Sequence, residues 1–259
     1  MKKLVALLLT LVIALGMFAG CTTPGGSGDG YTIEAGKLIM STNAEFPPYE
    51  MKDDNGDYIG IDVEIAKAIA EKLGLELVID DMSFDAALMA VQQGKSDMVM
   101  SGVSVTDKRK LVMDFSDSYA TSTIVVIVKE GSDVTLDNMG EKMIGAQRGT
   151  TGYIYASDTP ENGGYGEDHV IAFETDAAAV EALKNGQIDC IVIDNAPAAE
   201  HVAANPGLTI LDGNWVEEEY AIGLPKGNTQ LKEAVNKALA ELKADGTLDT
   251  IVAKYISAG

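Results

Sequence analysis

The chain has 259 residues, 46% hydrophobic and 23% charged, with a formal net charge of −21. Such an acidic surface repels phosphate backbones, which argues against binding nucleic acid. The length allows one large domain or two lobes of ordinary size, and the charge balance says nothing about any pocket.

In chain order, Lys2 and Lys3 precede an apolar run from Leu4 to Phe18, followed by Ala19-Gly20-Cys21. A short basic region, an apolar core and small residues before a cut site form a secretory signal over residues 1–20, too short for a comfortable membrane span. Cys21 directly after Ala-Gly resembles a bacterial lipobox, with Phe18 where leucine is usual, so Cys21 is the expected lipidation site. The alternative is an ordinary cleaved signal with an incidental cysteine. Thr22 to Tyr31, rich in Gly, Ser and Thr, reads as a flexible tether, so residues 21–31 carry the lipid and the spacer.

From there helical and strand patterns alternate, which predicts an α/β architecture with mainly parallel strands. Asp53-Asp-Asn55-Gly-Asp57, with Glu64 beyond, superficially looks like a calcium loop. The sixth position is Tyr58, not the glycine such a loop needs, so a hairpin with Asn55-Gly56 at its tip is expected. Asp62 can cap a helix carrying Ile65, Ile69 and Leu73, stopped by Gly74. A strand at Leu75–Ile79, a helix capped by Ser83 and ended by Gly94, and a strand at Met98–Met100 follow. Further on come a strand at Met143–Ala146, a helix after Gly149, strands at Val170–Phe173 and Ile188–Ile193, and a long helix lined by Leu231, Val235, Leu239 and Leu242 up to Gly246. Cys190 lies within an apolar strand, away from either histidine, and reads as a structural thiol. The strings around Gly94-Lys-Ser-Asp97 and Gly186-Gln-Ile-Asp189 share one plan: helix end, glycine, x-x-Asp, strand. That echo suggests two lobes of similar build, or merely a common turn. Tyr119–Val128 and Val216–Leu224 are extended segments suited to connect two lobes.

Chemistry concentrates at a few strand ends. Ser101-Gly-Val-Ser-Val-Thr-Asp-Lys-Arg109, leading into Asp114-Phe-Ser-Asp117, sets hydroxyls and one arginine after an apolar strand. A guanidinium grips a carboxylate through paired hydrogen bonds; by composition alone Arg109 could equally be solvated beside Lys108 and Lys110, on a short helix capped by Thr106. Gln147-Arg-Gly-Thr150-Thr151-Gly152 joins a strand to a helix without the Gly-Lys-Ser/Thr of a phosphate loop, which disfavours nucleotides. Asp194 ends an apolar strand and needs a counter-charge or a capping role at Asn195. Asn43-Ala-Glu-Phe-Pro-Pro-Tyr49 supplies further polar and aromatic groups.

These strings, from about Lys37 to the end, closely resemble the extracellular solute-binding proteins of polar amino-acid ABC transporters. The resemblance implies a two-lobed periplasmic-binding-protein fold of type II, a Venus flytrap. Each lobe would be a mixed sheet flanked by helices, with two hinge strands between them: residues 32–120 plus 221–259 as lobe 1, residues 121–220 as lobe 2. It implies a substrate-binding subunit that holds a free amino acid between the lobes and delivers it to a membrane permease. Arg109 would grip the ligand carboxylate, helped by Ser104, by backbone around Ser101 and Gly102, and by Thr150 and Thr151 from lobe 2. Asp194 would hold the ammonium, with Ile193 before it where histidine or glutamine is frequent. Phe46 and Phe84, otherwise plain core, would sandwich the ligand stem, and Asn43, Glu45 and Gln147 would tune specificity. Asn43 and Glu45 depart from an Asp-x-Ala/Thr arrangement, and Gln147 replaces a lysine of some glutamine binders. Polar uncharged or cationic amino acids fit this set best and dicarboxylates worst.

No catalytic residue, metal or cofactor is expected, and the permease and ATPase would be separate polypeptides. The expected protein is a monomer, lipid-anchored on the extracytoplasmic face of the membrane. The rival reading is a cleft enzyme on the same scaffold, such as a dehydratase, for which Glu45 is the one obvious acid or base. A sensory input module is disfavoured, since those are usually joined to a membrane helix and a signalling domain, and this chain ends at Gly259 without either.

Overall fold

A computed structural model describes residues 30–213 and 215–256. The expected signal peptide, Cys21 and nearly all of the tether lie outside those residues.

The chain begins with strand β1 (Lys37–Thr42), then the hairpin β2 (Met51–Lys52) and β3 (Tyr58–Ile59), helix α1 (Ile61–Leu73), β4 (Glu76–Asp81), α2 (Phe84–Gln92), β5 (Met98–Val99) and α3 (Asp107–Val112). A long strand β6 (Met113–Lys129) leads to β7 (Ile144–Gln147), α4 (Thr151–Ser157), β8 (Val170–Phe173), α5 (Asp176–Lys184), β9 (Cys190–Asp194), α6 (Asn195–Ala204) and β10 (Leu208–Ile210). The second long strand β11 (Val216–Pro225) returns, and α7 (Thr229–Ala244) and α8 (Thr247–Tyr255) finish the described chain.

One curled sheet runs through both lobes in the order β4-β1-β5-β11-β6-β9-β7-β8, with β10 paired to β6. Its two ends mirror each other. In one, β1 lies parallel between β4 and β5; in the other, β7 lies parallel between β8 and β9. Between them β6 and β11 pair antiparallel, with register shifts around Ala221. These two strands contain the extended segments expected to connect the lobes, and β6 starts several residues earlier than expected.

The repeated glycine and aspartate plan is a structural repeat. Gly94 and Gly186 both take left-handed backbone, at φ 66° and 73°. The N–H of Asp97 donates to Ile39 O and the N–H of Asp189 to Met143 O, each at 2.8 Å. Their carboxylates return the contact, Asp97 accepting from Ile39 N and Asp189 from Met143 N, both at 2.8 Å. A free rotation of either carboxylate is thus exchanged for a fixed start to the central strand of its lobe.

Burial follows the same division. One cluster joins β1, α1, α7 and α8 through Leu38, Ile65, Ile69, Leu231, Val235, Leu239 and Leu248, beside a second under α2 around Phe84, Leu88 and Phe115. Two others, around Ile127, Leu183 and Ile191 and around Ile144, Met139 and Val192, lie in the other half. Cys190 is buried and free, and burial pushes its thiol up to about 12, which suits packing and not nucleophilic chemistry.

Two expected caps differ. Asp62 lies inside α1, whose N-cap is Gly60 at φ 122°. A Cβ on Gly60 would sit 2.2 Å from the Tyr49 carbonyl oxygen, so the chain needs glycine there and Asp62 is released for another task. Ser83 occupies the N-cap of α2 without a side-chain bond. Thr106 does cap α3, accepting from Arg109 N at 3.1 Å. The hairpin over Asp53 to Asp57 forms, with Gly56 at φ 86° and Asp53 Oδ1 accepting from Asn55 N and Asp57 N.

Candidate functional site

The loops after β1, β4, β5, β7 and β9 meet between the lobes, at the carboxyl ends of parallel strands, where open α/β sheets place their ligands. Asn43, Phe46, Phe84, Ser101, Gly102, Ser104 and Arg109 from one lobe line one cavity with Gln147, Thr150, Thr151 and Asp194 from the other. The lobes are closed on each other: Gln147 Nε2 donates across the gap to Asn43 Oδ1 at 2.8 Å, and Arg109 Nη2 to Gly149 O at 3.1 Å. Glu45 is the exception among the expected residues: it is exposed and off the cavity wall. The turn after Asn43, with Glu45 N bonded to Asn43 O at 2.7 Å, sends alternate side chains outward.

Arg109 is 7% exposed while Lys108 and Lys110 beside it are exposed, so it is not the solvated residue composition would suggest. Its Nη1 donates to Ser104 O at 2.8 Å and its Nη2 crosses to Gly149 O at 3.1 Å. Both partners are carbonyls, not carboxylates. Its guanidinium lies 5.5 Å from the Phe84 ring centroid, a cation–π contact that orients the fork. Burial lowers its pKa, opposed by the charge of Glu218 first and Asp194 further off. A buried cation bonded only to carbonyls is costly unless a counter-charge arrives.

Asp194 faces it from the other lobe. It occupies the N-cap position of α6, but its side chain makes no capping bond. Instead it accepts from Ser122 Oγ at 2.6 Å. Burial raises its carboxyl to about 6; the bond from Ser122 opposes the rise and the charge of Glu218 adds to it.

The hydroxyls differ from expectation in their proton directions. Ser101 Oγ donates to Glu50 Oε1 at 2.7 Å and accepts from Asn43 N. The N–H of Gly102 points inward to Asp62 Oδ2 at 2.9 Å, so this backbone group is unavailable to an anion in the cleft. Thr150 Oγ1 donates to Gln147 O at 2.8 Å and caps α4 by accepting from Tyr153 N. Ser104 Oγ and Thr151 Oγ1 both bond to Glu218 Oε2, at 2.5 and 2.8 Å. Gln147 Nε2 also donates to Glu174 O. The cleft is thus rich in acceptors, and Arg109 is its principal donor.

Four buried acids behind the walls were not anticipated. Glu50 and Asp62 are fully buried side by side, with Glu50 Oε2 and Asp62 Oδ1 left without other partners among the described residues. Burial holds the Glu50 carboxyl well above its usual range and raises Asp62 to about 6, so the two share a proton. Asp176, at the start of α5, is raised by burial and then by the charge of Asp194, to about 7. Glu218 is buried in β11 between exposed Glu217 and Glu219. Strand alternation within that acidic run is the signal that could have singled it out; Glu50, Asp62 and Asp176 carry none, because their burial comes from distant segments.

Comparison with known proteins adds the lineage. Residues 38–258 match the model of the bacterial extracellular solute-binding proteins, family 3. The chain is 33% identical over 225 residues to a probable histidine-binding protein of Neisseria gonorrhoeae, covering 84% of this chain and 82% of that one. It is 31% identical over 262 residues to an arginine-binding extracellular protein of Bacillus subtilis, covering 99% of both. Among solved structures, an arginine-, lysine-, histidine-binding protein of Geobacillus stearothermophilus superposes with a TM-score of 0.80 at 33% identity, covering 86% of this chain and 96% of that one.

Proposed function

Because the chain belongs to the bacterial extracellular solute-binding proteins of family 3, we propose that its cleft captures one free amino acid, polar uncharged or cationic, for an ABC importer. The observation that carries this is the pair of buried opposite charges on facing lobes. Arg109 is bonded only to carbonyls, and Asp194 is an N-cap residue that does not cap. A zwitterion supplies a carboxylate for the first and an ammonium for the second, relieving two desolvated charges at once. Ligand bridging the lobes then favours the closed form through its higher affinity for that form.

Asn43, Phe46, Phe84 and Gln147 line the remaining wall and would hold the side chain, while the acceptor-rich surface supports a donor-bearing ligand and disfavours a dicarboxylate. That preference agrees with the probable histidine-binding protein and the arginine-binding protein among its relatives. The lobes in this reading are residues 32–120 plus 221–259 and residues 121–220, hinged at β6 and β11. Cys21 would carry a lipid that keeps a monomeric receptor on the extracytoplasmic face of the membrane, where it meets its permease. We read the protein as a carrier and not an enzyme: Glu45, the acid on which a dehydratase reading rested, is exposed and outside the cavity.

A thermal-shift screen of the twenty amino acids with cystine, ornithine and citrulline tests the proposal. At least one polar or cationic member should raise the midpoint and, in small-angle scattering, compact the protein. No shift with any of them, or tightest binding of glutamate or aspartate, would refute it.

A further inference from the structure

Glu218 belongs to neither lobe's loops. It projects from hinge strand β11, is 8% exposed, and touches one cavity residue from each side of the cleft. Ser104 Oγ lies 2.5 Å and Thr151 Oγ1 2.8 Å from the same oxygen, Oε2, and the two hydroxyl oxygens are 3.5 Å apart. A hydroxyl has one proton to give and lone pairs to receive with, and here both hydroxyls donate to one carboxylate oxygen. The Arg109 guanidinium supplies Glu218 with a counter-charge. Both hydroxyl protons are therefore drawn to the hinge, and what Ser104 and Thr151 turn toward the cavity they line is lone pairs. Glu218 Oε1, the other oxygen, is buried and has no hydrogen-bond partner among the described residues. Such an atom favours a donor brought from outside.

The anion end is left to other groups. Arg109 spends two N–H groups on Ser104 O and Gly149 O and has further ones to offer. The bridge between Ser104 and Tyr220 uses Val105 N to Glu219 O and Ala221 N to Val103 O, so the Ser104 N–H is not consumed by it. Donors and acceptors on this wall are thus sorted, nitrogen for the carboxylate and oxygen for the cation. The sorting depends on which side chain of β11 faces inward.

We propose that Glu218 is a positioning residue for ligand capture. By taking the protons of Ser104 and Thr151 it makes both hydroxyls acceptors, so that they receive the ligand's α-ammonium beside Asp194 instead of donating to its carboxylate. The inference rests on the amino-acid reading of the cleft. It assigns Ser104 and Thr151 to the ammonium, where the resemblance implied aids to Arg109. Because Glu218 binds one hydroxyl from each lobe, the ammonium seat is complete only when the lobes are closed, which couples recognition to closure.

Glu218→Leu is the test, since it keeps much of the side-chain volume but removes both acceptor oxygens, freeing the two hydroxyl protons to turn toward the cleft. The probes are L-arginine against its des-amino analogue 5-guanidinopentanoate, and L-glutamine against glutaramate, measured by calorimetry or by displacement. For the amino acid that binds the wild type, its preference over the des-amino partner should fall at least tenfold in Glu218→Leu. Ser104→Ala, which leaves Glu218 bonded to Thr151, should reproduce part of that selective loss, and so serves if Glu218→Leu does not fold. An unchanged preference, whether both ligands hold their affinity or weaken by one factor, overturns the role of Glu218. If the wild type binds no free amino acid, the failure is that of the functional reading itself.

Discussion

Lowering the pH from 7 to 5 should weaken amino-acid binding about tenfold, with Asp194 as the cause. Burial raises its carboxyl to about 6 in the free protein, so it is mostly ionised at pH 7 and mostly protonated at pH 5. A bound ammonium favours the carboxylate, and the complex therefore holds fewer protons than the free protein near pH 6. Affinity must then rise with pH through about 6 and level off above 7. If only the ionised form binds, the penalty factor is about 11 at pH 5 and about 1.1 at pH 7, a difference of roughly 1.4 kcal/mol. The free protein shows the opposite trend. Its raised Asp194 holds a proton more tightly than the unfolded chain does, so this group's stabilising contribution is complete below about pH 4 and disappears as pH rises through about 6. Calorimetry at pH 5, 6 and 7 with the amino acid returned by the screen measures the effect, and Asp194→Asn should bind weakly and lose the slope centred near 6. A dissociation constant that is flat from pH 5 to 7, or a full tenfold fall retained in Asp194→Asn, would refute the argument.

Two further outcomes are expected. Arg109→Ala should weaken binding by more than tenfold, because removing one partner of a buried charged contact costs about 2–5 kcal/mol; unchanged affinity in a variant that is folded by circular dichroism would reject Arg109 as the carboxylate clamp. Glu50→Gln should lessen the fall in stability that wild type shows as pH rises. The amide supplies permanently the hydrogen that Glu50 and Asp62 otherwise share, and wild type must lose that proton as pH rises through the elevated Glu50 pKa; urea titrations showing equal pH dependence would contradict it.

The chain's local chemistry made much of this protein legible. Alternating periods of apolar residues marked most strands and helices, because burial on one face or both is written into spacing. The two glycine and aspartate turns suggested either two lobes of similar build or merely a common turn, and in the structure each aspartate fixes the start of a central strand. The residues around the cleft were found largely because they follow strand ends in short strings, and of those expected only Glu45 points elsewhere.

What distant packing decides could not be read locally. Asp62 looked like a helix cap until Gly60 took that place and Gly102 and Tyr119 came within 2.9 and 2.8 Å of its carboxylate. Ser104 and Thr151 looked like donors to an anion until a hinge residue more than a hundred positions beyond Ser104 claimed their protons. Sequence spacing fixes which groups can reach the cleft, since a strand end and its loop travel together. The direction of a hydroxyl proton and the charge state of a buried acid depend instead on neighbours assembled from both lobes, and only the folded chain brings those neighbours into contact.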